Sequence, residues 1–282
     1  MAINKKGIFF TYAAIALSAV IILSVNVYKT YEMREDIEVI GVRINTMNNF
    51  IKDVEQDLEK GLYISSFRAF ASMNQYIASN GTFITNLEES FNELILEGTL
   101  DGEELSLMKY STFTDWANKI KIQADKIDIL VNFTITDISI NHTDAWSVLT
   151  VAGIDIIVKD KKNTSSWKRN KIITTKVSIE NFEDPLYVVN SRGRATNAIV
   201  KSTIIDFVDE GDISNLLMHL NNSYYIESNT SPNFLMRLQG DLSNSPTGIE
   251  SLVNLGEFQT QGLAIKDRSA VDYIYFGTQS TV

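Results

Sequence analysis

The sequence predicts an α+β protein hung from one long N-terminal helix, and three observations lead there. Residues 7–28 carry no charge over twenty-two positions. A stripe of apolar residues at steps of three and four continues that run to about residue 60. Near Ile127 the apolar period switches from helical to two-residue alternation, the mark of half-buried strands. The expected organisation is a transmembrane segment over 1–29, a helical stalk region over 30–126 and a mostly antiparallel β head over 127–282.

The first element is the apolar run itself, flanked by Lys5 and Lys6 on one side and Lys29 on the other. A helix of that length spans a hydrocarbon core of about 30 Å. The run is too long for a secretory signal peptide, and no small-residue cleavage site follows it around Val25, Asn26 and Val27. Lys5 and Lys6 favour a cytoplasmic N-terminus, although Lys29, Arg34 and Arg43 on the far side weaken the charge bias.

Beyond the run, Met33, Ile37, Ile40, Ile44, Met47, Ile51, Val54 and Leu58 form a heptad seam. The positions around it are charged: Glu32, Arg34, Glu35, Asp36, Glu38 and others. Such a seam must lie against something. Because the next 65 or so residues are also helical in pattern, the expected cover is the chain's own helices, with a second copy of the helix as the alternative.

Gly61 reads as a break, followed by segments over Leu62–Ser79, Thr85–Glu97 and Glu103–Lys126, punctuated by Asn80-Gly81, Gly98 and Asp101-Gly102. Their aromatics, among them Tyr63, Phe67, Phe70, Phe91, Phe113 and Trp116, are read as core, since helical spacing accounts for them without a ligand pocket.

Three strands are then expected, from Ile127 to about Ile140 with one bulge, from Trp146 to Val158, and from Trp167 to Ile179. The basic run Lys159, Lys161, Lys162, Lys168, Arg169 and Lys171 is interleaved with Asp160, Asn163, Thr164 and Ser165 and reads as a solvated hairpin loop. A short helix is expected over Ile213–Leu220. Another follows the Ser231-Pro232 start signal through FLMRLQ to Gly240. Closing strand character falls on VDYIYF, residues 271–276.

Several function classes are weakened or removed. The net charge of −10 and pI near 4.8 argue against a nucleic-acid partner. With no cysteine there is no disulfide, cysteine zinc site or thiol chemistry. His142 and His219 are the only histidines, and neither stands in a metalloprotease or nucleophile-elbow context. There is no phosphate-binding loop. No catalytic residue or cofactor is therefore expected; the one metal possibility is calcium near Asp206, Asp209, Glu210 and Asp212, whose spacing is not that of an EF-hand. Six Asn-x-Ser/Thr sequons, at Asn80, Asn132, Asn141, Asn163, Asn221 and Asn229, fit exposure on the outer side of a membrane.

Lys5-Lys6-Gly7 immediately before IFFTY resembles the class III signal of archaeal type IV pilins and pilin-like proteins. The resemblance implies cleavage after Gly7 by a prepilin peptidase, with Ile8 as the first mature residue, a single-pass membrane position, and assembly with other pilin-like subunits in a surface filament. It covers about the first 60 residues, and Tyr12 stands at the fifth mature position, where bacterial-type pilins carry glutamate. NFEDPLYVVN, SPNFLMRLQG, GIESLVNL and VDYIYF likewise resemble archaeal surface proteins with pilin-like N-termini, a resemblance that carries no activity. The alternative is a singly anchored extracytoplasmic module that binds a ligand or another protein in a sensor-like or adhesive role.

Overall fold

The computed structural model of the chain describes residues 5–161, 165–192 and 196–262. It is an α+β protein with one apolar N-terminal helix and antiparallel sheets. Helix α1 runs from Lys5 to Asn80, 76 residues. It passes straight through Gly61, where a break was expected. The reason is a close approach: the Trp116 indole packs against the bare Cα of Gly61, and a Cβ there would collide with the ring. Gly61 thus admits a neighbour and leaves the helix intact. Asn80 and the left-handed Gly81 end α1, as the Asn-Gly pair implies.

Helix α2 (Leu87–Glu97) buries Leu87, Phe91, Leu94 and Ile95 and stops at the left-handed Gly98. The helix expected from Glu103 does not begin there. A two-residue hairpin, β1 (Thr99–Leu100) with β2 (Glu103–Glu104), and a 3-10 turn over Ser106–Met108 come first. Helix α3 (Phe113–Asp125) starts only at a capping box. The Thr112 hydroxyl accepts from the Asp115 amide at 2.9 Å, and the Asp115 carboxylate accepts from the Thr112 amide at 3.2 Å.

Strands β3 (Ile129–Asp144), β4 (Ser147–Asp160) and β5 (Ser166–Ser178) form one antiparallel sheet in the order β3-β4-β5. A register shift between Ile135 and Asp137 moves the inward face from odd to even positions. Ile129 is buried and Val131, Phe133 and Ile135 pack on the core before the bulge; Ile138 and Ile140 do so after it. Gly153 pairs with Asp137 at that bulge, and a Cβ there would meet the Thr136 hydroxyl. In β4 the inward row Val148, Thr150, Ala152, Ile154, Ile156 and Val158 is wholly buried. The charged residues expected in a loop lie partly in this sheet: Lys159 is a β4 residue and Lys168, Arg169 and Lys171 are β5 residues, because β4 runs on to Asp160 and β5 begins at Ser166.

The remaining described elements are short: α4 (Pro185–Asn190), α5 (Ser214–Asn222), β6 (Ile226–Glu227) paired with β7 (Ile249–Glu250), α6 (Phe234–Gln239) and α7 (Leu255–Thr260). Helix α6 is capped by Asn233, whose side chain accepts from the Met236 amide at 3.0 Å. Ser231 instead donates to Glu250. The expected strand at 271–276 lies outside the described residues. One hydrophobic cluster joins Met47, Ile51, Val54, Leu58, Phe70 and Met73 of α1 to α2, α3, the inner face of the sheet, α4 and α6. At about 1.5–3 kcal/mol for each large apolar side chain removed from water, the upper part of α1 is a major source of the fold's stability.

Candidate functional site

The feature with functional content is α1 and the way it leaves the folded part. Ala14–Tyr31 is long and apolar enough to cross a membrane, and none of it is buried against the rest of the chain. That property is shared by a single-pass anchor and a signal sequence. Two of its hydroxyls are paired within the helix: Ser18 donates to the Ala14 carbonyl at 2.9 Å and Thr30 to the Asn26 carbonyl at 2.8 Å. Hydroxyls paired this way can sit in lipid without a stranded donor. Lys5, Lys6, Gly7 and Ile8 belong to the first turns of α1. Their side chains are outside the described set, as are those of Met33 and Ile37.

The seam divides at one point. Ile40 is 46% and Ile44 39% exposed, whereas Met47, Ile51, Val54 and Leu58 are at most 2% exposed. Just before Ile44, Arg43 fastens α1 to the segment between α3 and β3 and to the end of β4. Its guanidinium donates to the carbonyls of Ile127 and Asp128, at 3.1 and 2.9 Å, and to the Asp160 carboxylate at 2.9 Å. Two turns above Met47, Glu55 receives Arg169 at 3.1 Å and Lys171 at 3.0 Å from β5. Burial pushes the Glu55 carboxyl up, but the hydrogen bonds and charges of Lys171 and Arg169 outweigh it and hold the group below the usual carboxylate range. Part of the basic run therefore grips α1.

Other chemistry-bearing residues are placed as follows. His219 is fully buried. Its Nε2 donates to the Ser251 carbonyl at 2.9 Å, leaving Nδ1 to accept from the Ser202 hydroxyl at 3.2 Å, with Phe207 and Tyr224 edge-on to the ring. The imidazole is thus held in the core by its two ring nitrogens, with Ser202 half-buried beside it. His142 donates from Nδ1 to the Asp144 carbonyl at 3.0 Å, and its Nε2 is buried without a partner. Burial pushes both imidazoles below their ordinary pKa. Asp206, Asp209, Glu210 and Asp212 are exposed around a tight turn through Gly211. One Asp212 oxygen accepts from the amide and hydroxyl of Ser214 at the start of α5. Among the described residues no three or more carboxylate or imidazole groups converge as metal ligands.

The sequence reading missed a buried ion pair. Asp184 and Arg237 are 0% exposed and meet at 2.7 Å; the Tyr225 hydroxyl donates to the same carboxylate oxygen at 2.7 Å, and the other oxygen accepts the Leu186 amide at 2.9 Å as the cap of α4. Arg237 further donates to the Pro232 and Ile249 carbonyls. This network ties α4, α6 and β7 together. Asp184 before Pro185 is a helix-start signal, but nothing local marks Arg237 as its partner 53 residues on. A cleft of about 380 Å³ lies between the end of α1 and α2, beside Tyr76, Phe83, Glu89, Glu93 and Asp101. Two of its carboxylates are engaged by the chain itself: Asp101 accepts from the Tyr76 hydroxyl, and Glu93 accepts from the Asp101 and Gly102 amides.

No protein-family model matches the chain, and no match emerges among curated proteins or solved structures.

Proposed function

We propose that the protein is a membrane-anchored, pilin-like structural subunit of a cell-surface filament or envelope assembly, with its N-terminus on the cytoplasmic side and its folded part outside. The observation that carries this reading is a single helix with two environments. Its Ala14–Tyr31 stretch is apolar and uncovered, while from Met47 onward it is the spine of an α+β core. That is the build of a subunit whose lower helix meets lipid or neighbouring subunits while the head folds independently of them. The Lys5-Lys6-Gly7 signal supports the same reading and makes prepilin peptidase a partner.

Processing tests it. The peptidase admits an extended backbone at the cleavage point, for which a small residue such as Gly7 is suited. Intact-mass analysis of protein from native membranes is expected to find Ile8 first, and Gly7→Trp to block the cut. A terminus at Met1 or Ala2 would leave a plain signal anchor and remove the filament reading. Protease added to right-side-out vesicles is expected to degrade the chain beyond about Tyr31, and full protection would reverse the proposed orientation.

A further inference from the structure

The base of the head, where α1 departs, carries a group of side chains that the fold does not explain. The end of α3 and the start of β3 expose Ile122, Ile127 and Leu130, at 60%, 44% and 48%. Lysines surround them: Lys121 and Lys126 on and just after α3, Lys159 opposite Leu130 in the sheet, and Lys161 at the hairpin turn. Their carboxylate neighbours are Asp125 and Asp128, which share Lys161, and Asp160, which is bound by Arg43. In a chain of net charge −10 this is a locally basic, apolar-studded surface. Exposed aliphatic side chains ringed by lysine are what an anionic lipid interface binds: the chains enter the headgroup boundary and the ammonium groups meet phosphate.

Its position is fixed by Arg43, which holds α1 against the carbonyls of Ile127 and Asp128. Arg43 lies twelve residues beyond Tyr31, the end of the apolar window, or about 18 Å along the helix. Headgroups extend about 5–7 Å beyond the hydrocarbon on each side, so an upright helix leaves a gap of roughly 12 Å. Membrane helices tilt by about 0–40°, and a tilt toward α3 narrows this gap. The intervening helix sets Glu32, Glu35, Asp36 and Glu38 against Lys29 and Arg34 and is acidic on balance, so the attraction to anionic headgroups comes from the base of the head.

We infer that the base of the head, through Ile122, Ile127, Leu130 and the lysines at 126, 159 and 161, docks on the anionic headgroups of the membrane that holds α1. This inference rests on the anchored reading above but not on filament assembly.

The absence of cysteine allows single labels to be placed cleanly. Full-length chain, one copy per nanodisc, would carry an environment-sensitive fluorophore at Ile127→Cys or, at the far end of the sheet, at Asn141→Cys. Phosphatidylglycerol and phosphatidylcholine discs containing a headgroup-region quencher are compared. The expected result is quenching at position 127 that is strong in phosphatidylglycerol, weak in phosphatidylcholine and reversed by about 0.5 M salt, where the Debye length falls well below 8 Å. Position 141 should remain unquenched throughout. Lys126→Glu with Lys159→Glu, both exposed, should reduce docking at least the roughly fivefold expected for loss of one surface-bound lysine while leaving the circular dichroism unchanged. Equal quenching at 127 and 141, or protection that appears only with two copies per disc and ignores lipid charge, would overturn the inference. Alkaline extraction of the same discs reports insertion separately: a chain that washes off loses the anchored reading itself, and an inserted chain without quenching loses only the docking.

Discussion

From Ala14 to Ile44 the described apolar side chains of α1 stand in the open, and from Met47 to Ile77 the same helix carries its apolar face into a core. The residue types and the spacing hardly change across that boundary. What changes is the neighbour: the carbonyls of Ile127 and Asp128 and the Asp160 carboxylate meet α1 at Arg43, and Ser165 approaches the Met47 sulfur. A heptad stripe thus establishes that a helix has a face, and says nothing about what covers it. The covered half stabilises the molecule; the uncovered half is available for lipid or other chains.

The largest effects are expected where the covered half is breached. Leu58→Ala should cost about 2–5 kcal/mol in chemical unfolding of the detergent-solubilised chain, as for other buried leucines. Val42→Ala, on the exposed half, should stay within about 0.5 kcal/mol. Comparable losses at the two sites would erase the distinction. Breaking the buried pair is next: Arg237→Met, which leaves Asp184 without its cation, should destabilise by about 3–5 kcal/mol. Replacing both partners by apolar residues is expected to recover part of that loss, and no recovery would mean that the hydrogen bonds to Pro232, Tyr225 and Ile249 dominate.

Gly61 sharpens the comparison within α1. Gly61→Ala should cost about 1–3 kcal/mol by pushing Trp116 away, although alanine is the better helix former. In a Trp116→Ala background the same change should become neutral or stabilising, and a cost that persists there would contradict the close-approach explanation.

The smallest effects come from pH. The imidazoles of His142 and His219 have folded pKa values below the ordinary 6.5, so the unfolded chain binds protons first as pH falls. Stability should be full above about pH 6.5 and decline below it. Glu55, held below the ordinary 4.5, contributes above that value and is lost as pH falls through its folded pKa. Thermal unfolding scanned from pH 7.5 to 3.5 should therefore decline in two stages, and Glu55→Gln should reduce only the more acidic one, to which Glu93 and Asp144, also held below the usual carboxylate range, contribute as well.

Much of the architecture was legible because it depends on local pattern. The apolar run, the alternation in β3 to β5, the jump from Ile135 to Ile138 at the bulge and the Gly98 stop all follow from residue types over a few positions. Long-range partners were not legible. Gly61 looks like a breaker until Trp116 is beside it, 55 residues later. Arg169 and Lys171 look like loop charges until Glu55 appears opposite them. The stretch from Glu103 to Met108 has helical composition, yet it is drawn into a hairpin and a 3-10 turn, and the Thr112 capping box sets the helix start later. Ile127 reads as the first inward residue of the strand, yet β3 begins only at Ile129 and Ile127 is 44% exposed, because the carbonyls of Ile127 and Asp128 are turned to Arg43 of α1.

Hydrogen exchange along α1, measured on the full-length chain with one copy per nanodisc, tests most directly whether one helix serves two environments. Amides from Ala14 to about Tyr31 should be shielded by lipid, those from about residue 32 to 46 should exchange rapidly, as expected for a helix without tertiary cover, and those from Met47 to Ile77 should exchange only with unfolding of the head. A lone chain equally protected from residue 32 to 46 and from 47 to 77, or one that exchanges freely across Met47 to Leu58, would contradict a division of α1 between Ile44 and Met47.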